Sequence, residues 1–423
     1  MTGTGRRRAA TAVLCGLLAV TGCSEDATPG PPPDPAAQVQ DDCAAAVDAL
    51  LDTAQRYLDS IGTTSPDGGA TPSPAADPAQ AEQEFTSALS NVRAHAASIG
   101  CDPEEFRDDL TEGLRGLRAG GPVARAVLLQ LQGGRPPDGP VPPGGDVAAA
   151  VAAAASGSVV ELAAGEHVVD ETLVLLSGVT LRGAGRDETT LRSSAADGVL
   201  LVLTGEPVAV DALTLSRSGD APGNVVSASP AAELSITSAR VSGARGDAEG
   251  TGGIGVLMAA GAAGQTGPSR RTTLRLLDTD LVDNGVGGVV LSGEHRAEIT
   301  RSSVLRSGQC GICFLATSDG TVTDTRLTDN AAGLVAAGDA RPAVRTLTVE
   351  GGDVGVQALE RSAPQVEGST VRGVLRAAFL FADRSTGAVR GTTCTGAPAG
   401  IVVGPEAAPE VGENPGCGVV RGQ

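Results

Sequence analysis

The residues that could do chemistry are charged and polar side chains that recur 23 positions apart in the second half of the chain. They form two series: Asp278, Arg301 and Asp324, and, two residues later in each repeat, Asp280, Ser303 and Arg326. Two carboxylates on either side of a sugar can serve as the acid and base of glycoside hydrolysis. A guanidinium between them can hold a uronate carboxylate through two hydrogen bonds. The series therefore predict a candidate site for an acidic glycan.

A purely structural role for the same residues is the alternative. If successive repeats stack, Asp278 and Asp324 lie two repeats apart, with about 10 Å between their backbones. Side-chain lean could then bring the carboxyls to the ~6.5–9.5 Å separation of inverting glycosidases. The same stacking equally gives a solvated ladder in which Arg301 separates two like charges. The residues alone leave catalysis, anion recognition and the ladder open.

A sequence repeat must position these residues. Pairs of aliphatic residues five apart recur with Ser, Thr, Asp or Gly between them, and the second members are Leu181, Leu215, Val241, Leu281, Val304, Leu327, Val349, Val371 and Cys394. A second column recurs at the same interval as the later members of the first: Val289, Ile312, Leu334, Val356, Phe379 and Ile401. Three longer steps in the first column predict inserted loops, among them 243–253 and 259–271.

The repeats consist of short runs rich in Val, Thr and Leu, separated by Gly, Asn and Asp. They lack the helical stripe of leucine-rich, ankyrin or tetratricopeptide arrays. A coil of about 22 residues that stacks on the next at about 4.8 Å predicts a parallel β-helix. Because the column residues point inward, residues one and three positions before them are expected to point outward. Residues two positions before the column residues are expected to point inward and to be buried structural hydroxyls: Thr279, Ser302, Thr325, Ser369 and Thr392.

Two stretches at the start of the repeats resemble a known superfamily. Residues 146–167, which contain Ser-Gly-Ser-Val-Val-Glu at 156–161, resemble the opening of pectate-lyase-like β-helix proteins, and residues 178–185 resemble the turn that follows. The resemblance covers about 146–403 and implies a mainly β fold, a right-handed parallel β-helix of about 10–12 coils with a helix over its first coil. It implies no single chemistry, because the superfamily includes lyases, hydrolases, esterases, epimerases and non-enzymes. The motifs of polygalacturonases and a pectate-lyase calcium cluster are absent from the sequence.

The three histidines predict neither a metal site nor a cofactor, because they are scattered along the chain. His95 is interpreted as a solvated helix residue, His167 as a structural residue in a turn, and His295 as an exposed turn residue without a catalytic partner. The repeat region has no Trp or Tyr, so it offers a sugar ring no large aromatic side chain on which to stack.

Four cysteines in the repeat region are expected to form structural disulfides. Cys310-Gly-Ile-Cys313 is a CxxC motif at a coil turn, where a local disulfide is favoured over a metal or redox site. Cys394 stands in the first column and Cys417 in the tail. We expect them to pair and to clamp the tail over the exposed edge of the last coil.

The segment 1–22 predicts an export signal. Three arginines at 6–8 precede an apolar stretch, Ala9–Val20, which is too short to span a bilayer. The run Leu-Ala-Val-Thr-Gly-Cys at 18–23 resembles the bacterial lipobox, which implies cleavage after Gly22 and acylation of Cys23. The chain is then expected to be exported and held by membrane lipid on Cys23 at the outer face of the cytoplasmic membrane. Residues 23–40 would be a disordered tether.

Residues 41–132 show helical periodicity and predict a small hairpin or bundle. Cys43 at the start of the first helix and Cys101 just past the second would meet in an antiparallel hairpin, and export permits the disulfide. Residues 133–145, rich in Gly and Pro, predict a hinge before a β-helix at 146–423.

The net charge of the chain restricts the classes of partner that it is expected to bind. The net charge is −19, and it becomes more negative once the segment 1–22, with its three arginines and no acidic residue, is removed. The chain therefore repels phosphate backbones, and a nucleic-acid partner is not expected. Two functions remain. One is a non-enzymatic surface lipoprotein whose rod presents a binding face to envelope glycan or a protein partner. The other is a polysaccharide lyase or hydrolase that acts on acidic glycan. The first function is favoured, because the sequence indicates the fold clearly but gives only weak evidence for catalytic residues.

Overall fold

A computed structural model describes residues 35–62, 78–228, 233–259 and 272–422. The predicted export signal with Cys23, and most of the predicted inserted loop at 259–271, lie outside the described residues. Within those ranges, no helix has the length and apolar character needed to cross a membrane.

Five helices precede the strands: α1 Pro35–Gly62, α2 Pro78–Ile99, α3 Pro103–Gly116, α4 Pro122–Gln132 and α5 Val147–Ala153. Because α1 begins at Pro35, the predicted tether at 23–40 is wrong for residues 35–40, which are helical. The Asp102 side chain caps α3 by accepting hydrogen bonds from the amides of Glu104 and Glu105.

The first helices pack through one apolar stripe each. Leu50 and Ala54 of α1 are buried against Phe85 of α2, and the rings of Tyr57 and Phe85 stack with centroids 5.2 Å apart. The antiparallel arrangement brings Cys43 and Cys101 together, and the predicted disulfide is confirmed.

The strands follow in chain order: β1 Val159–Glu161, β2 Gly165–Val169, β3 Leu173–Leu175, β4 Thr180–Arg182, β5 Thr189–Ser193, β6 Leu200–Val202, β7 Pro207–Asp211, β8 Thr214–Arg217, β9 Val226–Ala228, β10 Glu233–Thr237, β11 Arg240–Ser242, β12 Ile254–Ala259, β13 Thr273–Leu277, β14 Asp280–Val282, β15 Gly287–Ser292, β16 Arg296–Thr300, β17 Ser303–Leu305, β18 Cys310–Leu315, β19 Asp319–Thr323, β20 Arg326–Thr328, β21 Ala332–Ala336, β22 Arg341–Arg345, β23 Thr348–Glu350, β24 Val354–Ala358, β25 Gln365–Glu367, β26 Thr370–Arg372, β27 Ala377–Phe381, β28 Ala388–Arg390, β29 Thr393–Thr395, β30 Ala399–Val403, β31 Glu410–Val411 and β32 Val419–Arg421.

Every third strand joins the same sheet, and all paired strands are parallel. The first sheet runs from β1 through β4 and β7 to β31, the second from β2 through β5 and β8 to β29, and the third from β3 through β6 and β9 to β32. Three parallel sheets wound from one chain make a parallel β-helix, which confirms the predicted fold class.

One aliphatic core runs through the rod. In the second sheet, side chains in register form the column His167, Leu191, Leu215, Val241, Leu281, Val304, Leu327, Val349, Val371 and Cys394. The predicted column is confirmed from Leu215 onward. Leu181 was wrongly included, because it lies in the first sheet between Val160 and Val210.

Both ends of the rod are covered. At the start, Val147 and Val151 of α5 join the core. The predicted hinge is not free at its C-terminal end, because Val141 is buried and its amide donates to the carbonyl of Glu161 at 2.7 Å. At the other end the predicted disulfide Cys394–Cys417 is confirmed.

A third disulfide lies within one strand. Cys310 and Cys313 of β18 are bonded as predicted. Both are buried in a small cluster on the outer side of the third sheet, together with Val290.

Candidate functional site

Asp278, Arg301 and Asp324 lie at the corner between the first and second sheets, in three consecutive coils. Each has a left-handed backbone, with φ of 50°, 47° and 49°. A left-handed residue turns the chain sharply, and Asp tolerates this conformation better than most residues do. The three side chains face outward as expected, but the cause is this bend and not strand alternation.

Arg301 is bound to Asp278 of the preceding coil. Its Nε and Nη2 donate to the two carboxylate oxygens at 2.9 and 3.0 Å. These hydrogen bonds, aided by the charges of Arg301 and Arg186, hold the pKa of Asp278 below its ordinary value. Asp278 is therefore a carboxylate at neutral pH and cannot donate a proton there.

Asp324 lies on the other side of Arg301 and is bound by the following coil. The Thr346 hydroxyl donates to Asp324 Oδ1 at 2.5 Å, and the Asp324 amide donates to the same hydroxyl at 3.0 Å. Arg301 thus stands between the two carboxyls and pairs with the first.

The second series occupies outward positions of β14, β17 and β20, in register. The Ser303 hydroxyl donates to Asp280 Oδ1 at 2.5 Å. Arg326 pairs instead with Glu350, its Nη1 2.5 Å from the carboxylate. The predicted patch is therefore assembled, but its members are already bound to one another or to neighbouring coils.

Two arginines that the sequence repeat did not predict converge on Asp280. Arg186, in the turn between β4 and β5, donates to Asp280 Oδ2 and to the Asp278 carbonyl, both at 3.1 Å. Arg240 lies 3.8 Å from Asp280 Oδ2. Arg240 directly precedes a column residue, so the same register rule extended by one coil would have found it. Arg186 carries no periodic signal, because it reaches the site from a turn three coils away.

Together these residues line a shallow groove of about 310 Å³: Arg186, Asp278, Asp280, Arg301, Ser302, Ser303, Asp324 and Arg326. Three guanidiniums face three carboxylates, so the groove is charge-balanced. Each of the three arginines already has an acidic partner. The groove therefore offers hydrogen-bonding groups from lining residues whose formal charges sum to zero.

A second charged ladder borders the second sheet on its other side. It consists of Asp283, Arg306 and Asp329, also left-handed, with φ of 55°, 55° and 52°. Arg306 donates to the two oxygens of Asp283 at 2.6 and 2.9 Å. This second ladder was predictable from the sequence, because each of its members lies five residues after a member of the first ladder.

The buried hydroxyls and histidines have structural surroundings. The predicted inward residues Thr279, Ser302, Thr325, Ser369 and Thr392 are all buried. The Thr279 hydroxyl, for example, lies 3.0 Å from the carbonyl oxygens of both Ile236 and Leu277, which compete for its one proton.

Two histidine interpretations need correction. His295 is buried, not exposed, with 2 % of its surface accessible, because it occupies an inward corner position. Burial lowers its pKa below the ordinary value. His167 is structural as expected, but it lies buried in β2 and not in a turn, with Nε2 2.9 Å from the Ala163 carbonyl. His95 is exposed on α2 as predicted.

Neither metal ligands nor aromatic platforms are found in the described ranges. No group of three or more His, Cys, Asp or Glu is placed there to share a metal ion. The three phenylalanines of the described rod, Phe314, Phe379 and Phe381, are all buried in the core. Among the described residues, the groove therefore offers a ligand hydrogen bonds and ion pairs but no phenylalanine on which to stack.

Residues 272–414, about a third of the chain, match the family model described as the right-handed β-helix region. The rod is a right-handed parallel β-helix. No curated protein matches the chain in sequence.

Several solved structures overlap the β-helix loosely. The catalytic domain of a GH87 α-1,3-glucanase in complex with nigerose is 8% identical over 62% of this chain, with a TM-score of 0.35. The periplasmic alginate epimerase AlgG is 10% identical over 62% of this chain and 75% of its own, with a TM-score of 0.41. The PL6 alginate lyase AlyGC is 12% identical over 68% of this chain and 40% of its own, with a TM-score of 0.40. The chain spans 64% of the glucanase domain, and overlaps this loose carry no argument about activity.

Proposed function

We propose that the groove binds a glycan of the cell envelope without cleaving it. In this proposal the chain is an exported lipoprotein held by Cys23, and its β-helix is the binding scaffold. The observation that supports a non-catalytic groove is the ion pair of Asp278 with Arg301. Arg301 binds both carboxylate oxygens of Asp278 and lowers its pKa, so Asp278 is not the protonated acid that glycoside hydrolysis needs.

The charge balance of the groove supports an uncharged, hydroxyl-rich glycan. A uronate would have to displace Asp278 from Arg301 or Asp280 from Arg186, and each of those arginines already holds its carboxylate within 3.1 Å. Sugar hydroxyls can donate to the remaining carboxylate lone pairs and accept from the remaining guanidinium N–H groups without breaking either pair.

Asp280 is the residue to change, because Arg186, Arg240 and Ser303 all approach it. Asp280→Ala should weaken retention on insoluble, uncharged envelope polysaccharide about tenfold, an effect of the size expected when one well-paired polar group is lost. Asp339→Ala is the matched control, since Asp339 is similarly exposed and bound by Arg361 at a different corner of the rod.

Three results would overturn the proposal. One is equal retention of wild type, Asp280→Ala and Asp339→Ala. Another is release of reducing ends or unsaturated sugars by the wild-type chain. The third is saturable binding to a purified envelope protein with none to polysaccharide, which would make the rod a protein-binding scaffold.

A further inference from the structure

The outer face of the third sheet is apolar along the rod. Its outward column, in register from the first coil to the last, is Val174, Leu201, Ser227, Leu257, Val290, Cys313, Val335, Gln357, Leu380, Val402 and Val420. None of these residues is charged, although 19% of the chain is. We call this surface, with the columns on either side, the uncharged face.

The flanking columns have the same character. The described residues two positions later are Leu176, Leu203, Ala259, Ser292, Leu315, Ala337, Leu359, Ala382, Gly404 and Gly422, and none of them is charged. The preceding column from β12 onward is Ile254, Gly287, Cys310, Ala332, Val354, Ala377 and Ala399. By contrast, the outer face of the first sheet carries ion pairs such as Arg275 with Glu233 and Glu298. A contiguous apolar patch on the surface of a protein in water marks an interaction site.

Among the described residues, helix α4 packs against the first coil of the uncharged face. Val174 is 4% exposed and shares a cavity wall with Ala126 and Leu129 of α4. Val290 and Cys313 are buried by packing among their apolar neighbours. Further along, Val335, Leu380 and Val402 remain partly accessible, and Val420 is 53% exposed.

We infer that a second copy of this chain covers the uncharged face, with the two rods antiparallel. The face from β6 to β32 measures about 48 Å by about 16 Å, a footprint on the order of 770 Å². A standard interface buries about 800 Å² on each partner. Two flat sheets pack face to face about 10 Å apart. A dimer with twofold symmetry requires only that one surface be complementary to its own copy.

Helix α4 sets the antiparallel direction. A helix is about 10 Å thick, the same as the gap between packed sheets, so no partner sheet can lie over the first coil. Parallel rods would place both helical segments side by side at one end, where they collide. Antiparallel rods place each α4 beyond the last coil of the partner, and the twofold axis then passes between β18 and β21.

Sedimentation velocity of the purified chain tests the inference. The chain should form a dimer whose dissociation constant falls as salt rises, because salt screens repulsion between two copies that each carry −19. Val335→Glu and Leu380→Glu should each raise the dissociation constant of the dimer at least about tenfold, because each places a charge in the buried interface. Ala343→Glu, the same change at an outward position of the first sheet, should leave the dimer intact.

Cross-linking tests the direction. With a short bis-maleimide, Val335→Cys should link to its own copy near the axis, whereas Val402→Cys should link only to Ser227→Cys. A chain that stays monomeric at every attainable concentration overturns the inference, as does a dimer unaffected by both glutamates. A monomer that floats with phosphatidylcholine vesicles, and loses flotation with Val335→Glu, would assign the face to a membrane instead.

Discussion

Arg301 donates two hydrogen bonds to Asp278 of the preceding coil, at 2.9 and 3.0 Å. The same two-bond pairing between neighbouring coils recurs elsewhere on the rod: Arg306 with Asp283, and Arg361 with Asp339. Because the pairing recurs far from the groove, it is a general way in which this rod keeps like charges apart at its corners. The groove therefore differs from the other corners by the added arginines around Asp280 and not by its ladder.

The stacked interior predicts a large difference between neighbouring residues of one strand. Leu327 is fully buried between Val304 and Val349. Leu327→Ala should cost about 2–5 kcal/mol of unfolding free energy, whereas Thr328→Ala on the outer side should change it by no more than about 0.5 kcal/mol. Urea unfolding measures both, and similar losses would contradict the column.

The buried His295 predicts a pH dependence. Its pKa in the folded chain lies below the ordinary 6.5, so the unfolded chain takes up a proton at a higher pH than the folded chain does. Stability is then full above about pH 6.5 and falls as the pH drops below it. The thermal midpoint should fall more for wild type than for His295→Gln between about pH 7 and pH 5.5. The exposed His95→Gln is the control and should keep the wild-type slope; identical slopes in all three would contradict this assignment.

The disulfide Cys394–Cys417 predicts local stability at the last coil. It joins residues 23 apart, and closing a loop of this length stabilises by about 3 kcal/mol in the chain-entropy view. Replacing both cysteines with Ser should speed hydrogen exchange in β30 and β32 and lower the thermal midpoint. Replacing Cys310 and Cys313, only 3 residues apart, should lower it less. Unchanged exchange at the end of the rod would show that the tail is held without the bond.

The resemblance of residues 18–23 to a lipobox predicts attachment to membrane lipid through Cys23. Metabolic labelling with palmitate should mark the wild-type chain and leave Cys23→Ser unlabelled and in the soluble fraction. Cys15→Ser lies in the same leader and should keep the label. Label retained by Cys23→Ser would contradict the assignment.

The regular spacing of the inward residues explains which features could be predicted from the sequence. The steps from Leu215 to Cys394 report inward positions that must stack, so the fold and the patch of Asp278, Arg301 and Asp324 followed from spacing alone. Leu181 was misplaced because both the first and second sheets present Leu or Val inward, and a single periodicity cannot distinguish two sheets of the same coil.

The rest of the groove lay beyond periodicity. Arg186 reaches Asp280 from a turn whose shape depends on tertiary contacts, such as the Thr214 hydroxyl donating to its carbonyl at 2.6 Å. His295 follows Gly293 and Glu294, residues typical of an exposed turn, yet the corner geometry turns its ring inward. His295 lies between two strands and in neither of them, so counting along a strand could not show that its ring points inward.

The most direct measurement of the central claim incubates the purified chain with uncharged envelope polysaccharide. It records the fraction of protein retained and the chain-length distribution of the polysaccharide by mass spectrometry. Saturable retention with unchanged chain lengths is the predicted result. Shortened chains that no longer appear with Asp278→Asn would contradict it, because they would make Asp278 a catalytic group.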